Sequence, residues 1–148
     1  MPVERPLTTE EQEELDGLFT LALGFLPIGQ QDDPSFLIGA LHLLVEEARA
    51  GRLRSVPLSD LATYAGALWG DELCRLKGWS WCYLTFGDRL EGAAVVTPDR
   101  GQAVLPVHLL FRWLSDGQKP NRCLPLFEQL VRQSEEEMPP AGGYLLIG

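Results

Sequence analysis

The sequence predicts an α+β fold, in which a three-stranded antiparallel meander, about residues 79–105, packs against three N-terminal helices and two C-terminal helices. Two observations predict it. Apolar residues recur at helical spacing before residue 78 and after residue 106. Between them, alternation with a period of two indicates strands. The chain has 148 residues, 45% of them hydrophobic and 22% charged, so we expect one domain over residues 1–148.

The N-terminal part predicts an extended lead-in over residues 1–8, followed by three helices. Apolar residues at helical spacing follow Thr9, which we expect to cap the first helix together with Gln12, at the capping-box spacing. Pro34 suits the first turn of the second helix, because its missing N–H has no partner to lose there. Ser59 is the expected N-cap of the third helix.

The predicted third helix carries two glycines, Gly66 and Gly70, one turn apart. Glycine in a helix interior costs about 1 kcal/mol relative to alanine. We therefore expect close packing against another element to offset this cost. Asp71 and Glu72 come near the end of the helix, where we expect both side chains to be exposed and to take no catalytic part.

The predicted sheet begins with a strand over residues 79–86, in which Trp81 and Tyr83 share one face. Both faces of this strand carry bulky side chains. The pattern indicates either cover on both sides or an exposed aromatic face. Two short strands follow, and Pro106 then starts a helix because proline cannot donate to a sheet ladder. Residues 139–148 predict an apolar tail or an edge strand.

The charge of the chain is concentrated at its start. The net charge is −9, and residues 1–16 hold six acidic residues against Arg5, a balance of −5. Binding to nucleic acid requires a basic surface, so we expect no nucleic-acid partner. No apolar run approaches the roughly 20 residues that span a bilayer. The first residues also lack a signal-peptide pattern, so we expect a cytoplasmic protein with no membrane partner.

Candidate catalytic groups are few. The sharpest enzymatic alternative is a thiol nucleophile, Cys82, with His108 as base and Asp88 or Asp99 orienting it. A position in the middle of a strand argues against this, because reactive thiolates lie at exposed, electropositive sites. The chain has no CxxC pair, and His108 lies 66 residues from His42, so no metal-ligand spacing exists. We expect no metal and no cofactor.

Aromatic and apolar residues supply the candidate partner-binding surface. All four tryptophans lie between residues 66 and 113. Trp81 and Tyr83 share a strand face, while Leu109 and Trp113 form a second apolar side on the fourth helix. A helix that is apolar on two sides is either sandwiched or presents a patch to a partner. Aromatic side chains dominate both cores and interface hot spots, so both interpretations stay open.

Four features recur in one known type of domain: W-G-x-x-L at 69–73, G-W-x-W at 78–81, V-V-x-P at 95–98, and a proline-led helix at 106. With them, residues 66–115 resemble small bacterial domains of the immunity-like kind, encoded near polymorphic-toxin or secretion loci. The resemblance implies a protein partner and carries over no catalytic residue.

These observations together favour a non-enzymatic protein-binding module, an immunity-type inhibitor of a cognate bacterial toxin. Small size, acidity, the lack of a reactive constellation and the surplus of aromatic residues support this hypothesis. A secretion chaperone or structural adaptor is the alternative, and it predicts a stable dimer with an apolar groove. A small enzyme of unrecognised type is the third hypothesis.

Overall fold

The computed structural model of the chain describes residues 3–23, 34–52, 56–86, 90–98, 102–132 and 145–147, and it combines helices with a sheet, as predicted. The helices are α1 (Thr9–Leu23), α2 (Pro34–Arg49), α3 (Leu58–Lys77), α4 (Pro106–Ser115) and α5 (Cys123–Arg132). The strands are β1 (Val3–Arg5), β2 (Ser80–Phe86), β3 (Leu90–Val96), β4 (Gln102–Val104) and β5 (Leu145–Ile147).

The sheet contains the predicted meander and is wider than the prediction. Its strand order is β1-β2-β3-β4-β5, with antiparallel pairing from β1 to β4 and β5 parallel to β4. The prediction of three strands is therefore wrong. Residues 3–5 of the expected lead-in form an edge strand, and residues 145–147 form the other edge. Three-residue strands are too short to show alternation, which is why the sequence pattern missed the first and left the second open.

The caps of α1 and α3 lie one and two residues before the predicted ones. The capping box of α1 uses Thr8 and Glu11, since the Glu11 N–H donates to Thr8 Oγ1 at 3.1 Å and the Thr8 N–H donates to Glu11 Oε1 at 2.9 Å. The repeated T-T-E-E sequence fits two registers, and the ion pair of Glu11 with Arg5 favours this one. The third helix begins at Leu58 with no side-chain cap, which places Ser59 inside it.

The main core lies between the helices and one face of the sheet, here called the helical face. Trp69 of α3 is fully buried there, and its Nε1–H donates to the Cys123 carbonyl oxygen at 2.9 Å. Its ring meets Trp113 and Phe127 edge-on, with centroids 6.1 and 5.7 Å away. The opposite face of the sheet carries a second buried cluster, formed by Cys82, Leu84, Ala94, Val96, Ala103 and Leu105. The middle of β2 is thus covered on both sides.

Close packing of α3 explains its two glycines, as predicted. A Cβ at Gly66 would lie 2.7 Å from Val107 Cα, which is backbone of α4. A Cβ at Gly70 would lie 2.6 Å from Trp81 Cη2 and 2.8 Å from Pro106 Cγ. The two glycines let α4 and β2 approach the helix axis more closely than any larger residue would allow.

The expectation that Asp71 and Glu72 are exposed is wrong. Glu72 has no exposed surface, and its Oε2 lies 3.4 Å from Arg75 Nη2. It follows Leu68 by four residues and so continues a buried stripe of α3. Burial raises the pKa of the Glu72 carboxyl, although the Arg75 charge opposes this rise. Asp71 is half-buried and accepts a hydrogen bond from Trp81.

Candidate functional site

The structure separates the four predicted partner-binding residues into two places. Leu109 and Trp113 are each 4% exposed and belong to the main core, because α4 packs against α3, α2 and β3. Trp81 and Tyr83 are half-buried on the helical face of β2. Whether any of the four contacts a partner stays a prediction. In this fold Trp81 and Tyr83 offer the larger accessible surface.

Tyr83 borders an open groove between α1, the helical face of β2 and β3, and the start of α4. We call it the acidic groove; its volume is about 170 Å³. It is lined by Leu7, Glu11, Glu14, Leu15, Leu18, Thr63, Tyr83, Ala93 and Val107. The apolar members of this set are half-buried. They consequently keep apolar surface that a bound side chain could cover.

A cation–π contact with Arg5 and a hydrogen bond to Glu91 fix Tyr83 beside the groove. The Arg5 guanidinium lies over its ring, 4.1 Å from the centroid, at cation–π distance. Arg5 also donates to both carboxylate oxygens of Glu11, at 2.7 and 3.0 Å. Partial burial, and then Glu91, which accepts a hydrogen bond from the hydroxyl, raise the pKa of Tyr83. The ring is therefore held from its face and from its hydroxyl.

Carboxylates dominate the rim of the groove. Glu11 and Glu14 line the groove, whereas Glu10 and Glu13 are exposed on α1 outside its lining. Arg5 is the one lysine or arginine in the first 48 residues, and its guanidinium is already paired with Glu11. The pairing lowers the pKa of Glu11 to about 2, chiefly through the Arg5 hydrogen bond and then through the Thr8 N–H. The groove therefore combines apolar walls with the carboxylate of Glu14, which no described cation pairs with.

Trp81, two residues before Tyr83 in β2, lies outside the lining of the acidic groove. Its ring packs against the position of Gly70, and its indole donates to Asp71. The exposed part of the ring borders a shallow cleft of about 280 Å³ with Arg5 and Pro6. Trp81 therefore has a structural role on one side and an accessible edge on the other.

The described residues do not assemble the predicted site in which Cys82 would act as a nucleophile. Cys82 is 3% exposed and lies within the apolar cluster of the second sheet face, while Asp88 and Asp99 lie outside the described residues. Burial raises the pKa of Cys74 to about 12 and also raises that of Cys123, so both thiols stay protonated. Burial, and then the Arg112 charge, lower the pKa of His108.

The described residues contain neither a group of metal ligands nor a helix that could cross a membrane. No group of three or more histidine, cysteine, aspartate or glutamate side chains there could hold a metal ion. None of the described helices is both long enough and apolar enough to cross a membrane.

Sequence reasoning missed a clamp that fixes the start of α5. Asn121 Oδ1 accepts from the Cys123 N–H at 3.1 Å, and its Nδ2 donates to the His42 carbonyl oxygen and to Glu46 Oε1, both at 3.1 Å. His42 Nδ1 accepts from the Leu124 N–H at 3.2 Å. The first contact had a local signal, an asparagine at the N-cap spacing. The contacts to α2 cross about 80 residues and had none.

Comparisons with protein-family models, with curated proteins and with solved structures found no match for this chain. The resemblance of residues 66–115 to immunity-like domains stays a prediction. Functional inference therefore depends on the geometry and charge of the described residues.

Proposed function

We propose that the chain is a non-enzymatic protein-binding module whose acidic groove receives a basic segment carrying an apolar side chain. The observation that carries this proposal is the pairing of half-buried apolar walls with the carboxylates of Glu11 and Glu14, of which Glu14 is exposed, between α1 and the helical face of the sheet. The apolar walls select an apolar side chain of the partner, and the carboxylates select its positive charge.

The apolar walls supply the energy of association. Leu15 and Leu18 of α1, Leu7 before it and Val107 of α4 are each partly exposed around the groove. An inserted side chain would remove this surface from water, which is worth about 25 cal/mol per Å² of apolar area. Interface hot spots are typically anchors of this kind, seated in a pocket and surrounded by polar residues.

The carboxylates supply steering and selection. Negative potential over a groove raises the encounter rate with positively charged partners and disfavours acidic ones. The described cation beside the groove, Arg5, is held by Glu11 and stacked on Tyr83, so it does not cancel the rim. The same contacts fix Tyr83 before binding, which reduces the entropy lost in the complex.

A cognate toxin is the partner class we propose. The resemblance of residues 66–115 to immunity-like domains points to it, and the acidic groove adds that its bound surface is basic. Proteins that act on nucleic acid present such a surface, because they neutralise phosphates with lysine and arginine. The inhibitor would then cover the surface that the toxin uses for its substrate.

The test uses two charge reversals on the same helix. Glu14→Lys changes the rim of the groove. Glu13→Lys makes the same change one residue earlier, where the side chain points about 100° away around the helix. Each variant and the native chain would be immobilised and exposed to lysate of the native host, and retained proteins identified by mass spectrometry. The protein retained at equal stoichiometry is then purified and its affinity for each bait measured by calorimetry.

The proposal predicts one basic partner that is retained at equal stoichiometry. Glu14→Lys should bind this partner about tenfold more weakly than Glu13→Lys does. Co-expression of the native chain with the partner should abolish the toxicity of the partner. Equal loss with both variants would contradict the groove as the binding site. An empty capture would contradict the protein-binding function. A stable dimer by light scattering, with no retained partner, would favour the chaperone or adaptor alternative.

A further inference from the structure

A second pocket, unrelated to the acidic groove, lies between the end of α4 and the start of α5. We call it the basic pocket; its volume is about 180 Å³. It is lined by Leu109, Arg112, Trp113, Lys119, Pro120, Arg122 and Leu126. Two predicted partner-binding residues, Leu109 and Trp113, therefore form part of its apolar floor.

Positive charge converges on this pocket in a protein of net charge −9. Three of its lining residues are cations, Arg112, Lys119 and Arg122, and none is an acid. The Lys119 ammonium makes no hydrogen bond or ion pair within the described residues. Arg122 donates to the neutral Gln129 Oε1 at 3.3 Å, and no described carboxylate pairs with its charge.

The loop that carries Lys119 and Arg122 is tied to α2. Arg49 Nη2 donates to the carbonyl oxygens of Gly117 and Lys119, at 3.0 and 2.7 Å. Asn121, 9% exposed, holds the other end of the loop through α2 and the start of α5. The cations therefore project from a backbone that is fixed before any ligand arrives.

The floor of the pocket offers a hydrogen-bond donor. Trp113 is 4% exposed, and its ring packs edge-on against Trp69 at 6.1 Å. Within the described part of the chain, its Nε1–H donates to no acceptor. The indole nitrogen is not among the buried polar atoms without a partner, so it keeps contact with solvent and can donate to an acceptor that enters the pocket. A bound anion would supply that acceptor while its apolar part covers Leu109 and Leu126.

We propose that the basic pocket binds a small organic anion, a carboxylate or phosphate monoester on a compact apolar body. Guanidinium groups match the paired oxygens of both anions, and lysine adds a point charge. The volume is below the roughly 300–1,000 Å³ of pockets for drug-sized ligands, so the occupant is a small metabolite. A nucleic-acid phosphate fits poorly, because the chain as a whole repels a polyanion.

The probes are phenyl phosphate and benzoate, with inorganic phosphate and neutral phenol as controls. Binding is followed through the Nε1–H cross-peak of Trp113 in ¹H–¹⁵N spectra, assigned with Trp113→Phe. We expect saturable shifts with a Kd below about 1 mM for at least one aromatic anion. Lys119→Gln and Arg122→Gln each weaken it roughly tenfold, the effect of one charge-assisted hydrogen bond. Arg132→Gln, an exposed cation elsewhere on α5, changes nothing.

The tighter of the two aromatic anions identifies phosphate or carboxylate as the preferred group. The absence of a saturable shift at Trp113 would overturn the proposal. Inorganic phosphate that binds as tightly as the aromatic anions would indicate general counterion association and overturn the proposal. The same holds if Arg132→Gln weakens binding as much as Lys119→Gln and Arg122→Gln do. None of these outcomes depends on the acidic groove, whose test follows a different ligand and different variants.

Discussion

The acidic groove and the basic pocket both place apolar side chains beneath charged ones, yet they differ in how firmly those side chains are held. In the groove the apolar residues are half-buried and open along α1. In the pocket Leu109 and Trp113 are each 4% exposed, and the loop above them is tied to α2. An open groove suits a partner that brings its own bulk, whereas a fixed pocket suits a small ligand.

Four substitutions would break or sharpen this contrast, and the largest effect is expected at the loop of the basic pocket. Asn121→Ala removes the N-cap of α5 and leaves groups of α2 without their donor. We expect a loss of about 3 kcal/mol in the free energy of unfolding, measured with urea. Binding of phenyl phosphate should weaken, while groove binding stays intact.

Gln118→Ala is the matched control for the loop, because its side chain is exposed, and it should stay within about 0.5 kcal/mol of the native chain. A loss below about 1 kcal/mol in Asn121→Ala would show that the clamp contributes little to the fold.

The contact between α3 and α4 supports both regions, since Val107 borders the groove and the other end of α4 forms the pocket. Gly66→Ala would place a Cβ 2.7 Å from Val107 Cα. Because backbone must move to admit it, we expect a loss of about 2 kcal/mol in unfolding free energy.

Gly39→Ala is the control for this change, because a Cβ there would meet no described residue within 4 Å beyond the backbone of its own helix. It should stabilise the protein by about 0.5–1 kcal/mol through helix propensity. If Gly66→Ala stabilised the protein as Gly39→Ala is expected to, the packing role of Gly66 would be contradicted.

Glu72 is a buried acid on α3, in contrast to the exposed acids beside the groove. Burial raises its pKa above the ordinary 4.5, so the folded state binds this proton more readily than the unfolded state. Stability therefore falls as pH rises from 4.5 through the raised pKa. Glu72→Gln, which cannot ionise, should be about 1 kcal/mol more stable at pH 7 and gain nothing below pH 4.

Urea unfolding at both pH values measures this difference. Glu13→Gln, an exposed acid of α1, should remain within about 0.5 kcal/mol at either pH. A loss of stability at pH 7 in Glu72→Gln would mean that the Arg75 pair outweighs the cost of burial.

The smallest effect concerns Arg5 and Glu11 beside the groove. The pKa of Glu11 is lowered to about 2 by the Arg5 hydrogen bond and then by the Thr8 N–H. The stability that this contact contributes is present above about pH 4.5 and is lost as pH falls through about 2. A carboxyl-detected NMR titration should show the low pKa in the native chain and a return towards 4.5 in Arg5→Gln. A native Glu11 that titrates near 4.5 would contradict the ion pair.

Local patterns predicted the fold better than the sites. Pro34 and Pro106 marked helix starts because proline acts through its own backbone, and the long strand Ser80–Phe86 showed its alternation clearly. The burial of Glu72 could not be predicted, since it depends on which elements pack around α3. Leu109 and Trp113 were recognised as an apolar pair, but the sequence could not decide between core and surface.

The basic pocket shows where sequence reasoning stops. Arg112, Lys119 and Arg122 come from the end of a helix and the loop after it, in an order that resembles no motif. They meet because Arg49 and Asn121 fold that loop onto α2, through contacts 68 to 79 residues apart in the chain. The face of β2 that carries Tyr83 was predicted to be either covered or exposed, and the groove itself required the position of α1.

One capture experiment tests the central claim most directly, that the acidic groove binds a protein partner. Three baits are compared in lysate of the native host: the native chain, Glu14→Lys in the groove, and Lys119→Gln in the basic pocket. The account predicts a stoichiometric basic partner that is retained by the native chain and by Lys119→Gln but depleted with Glu14→Lys. A partner lost with Lys119→Gln and kept with Glu14→Lys would contradict it, as would three empty baits.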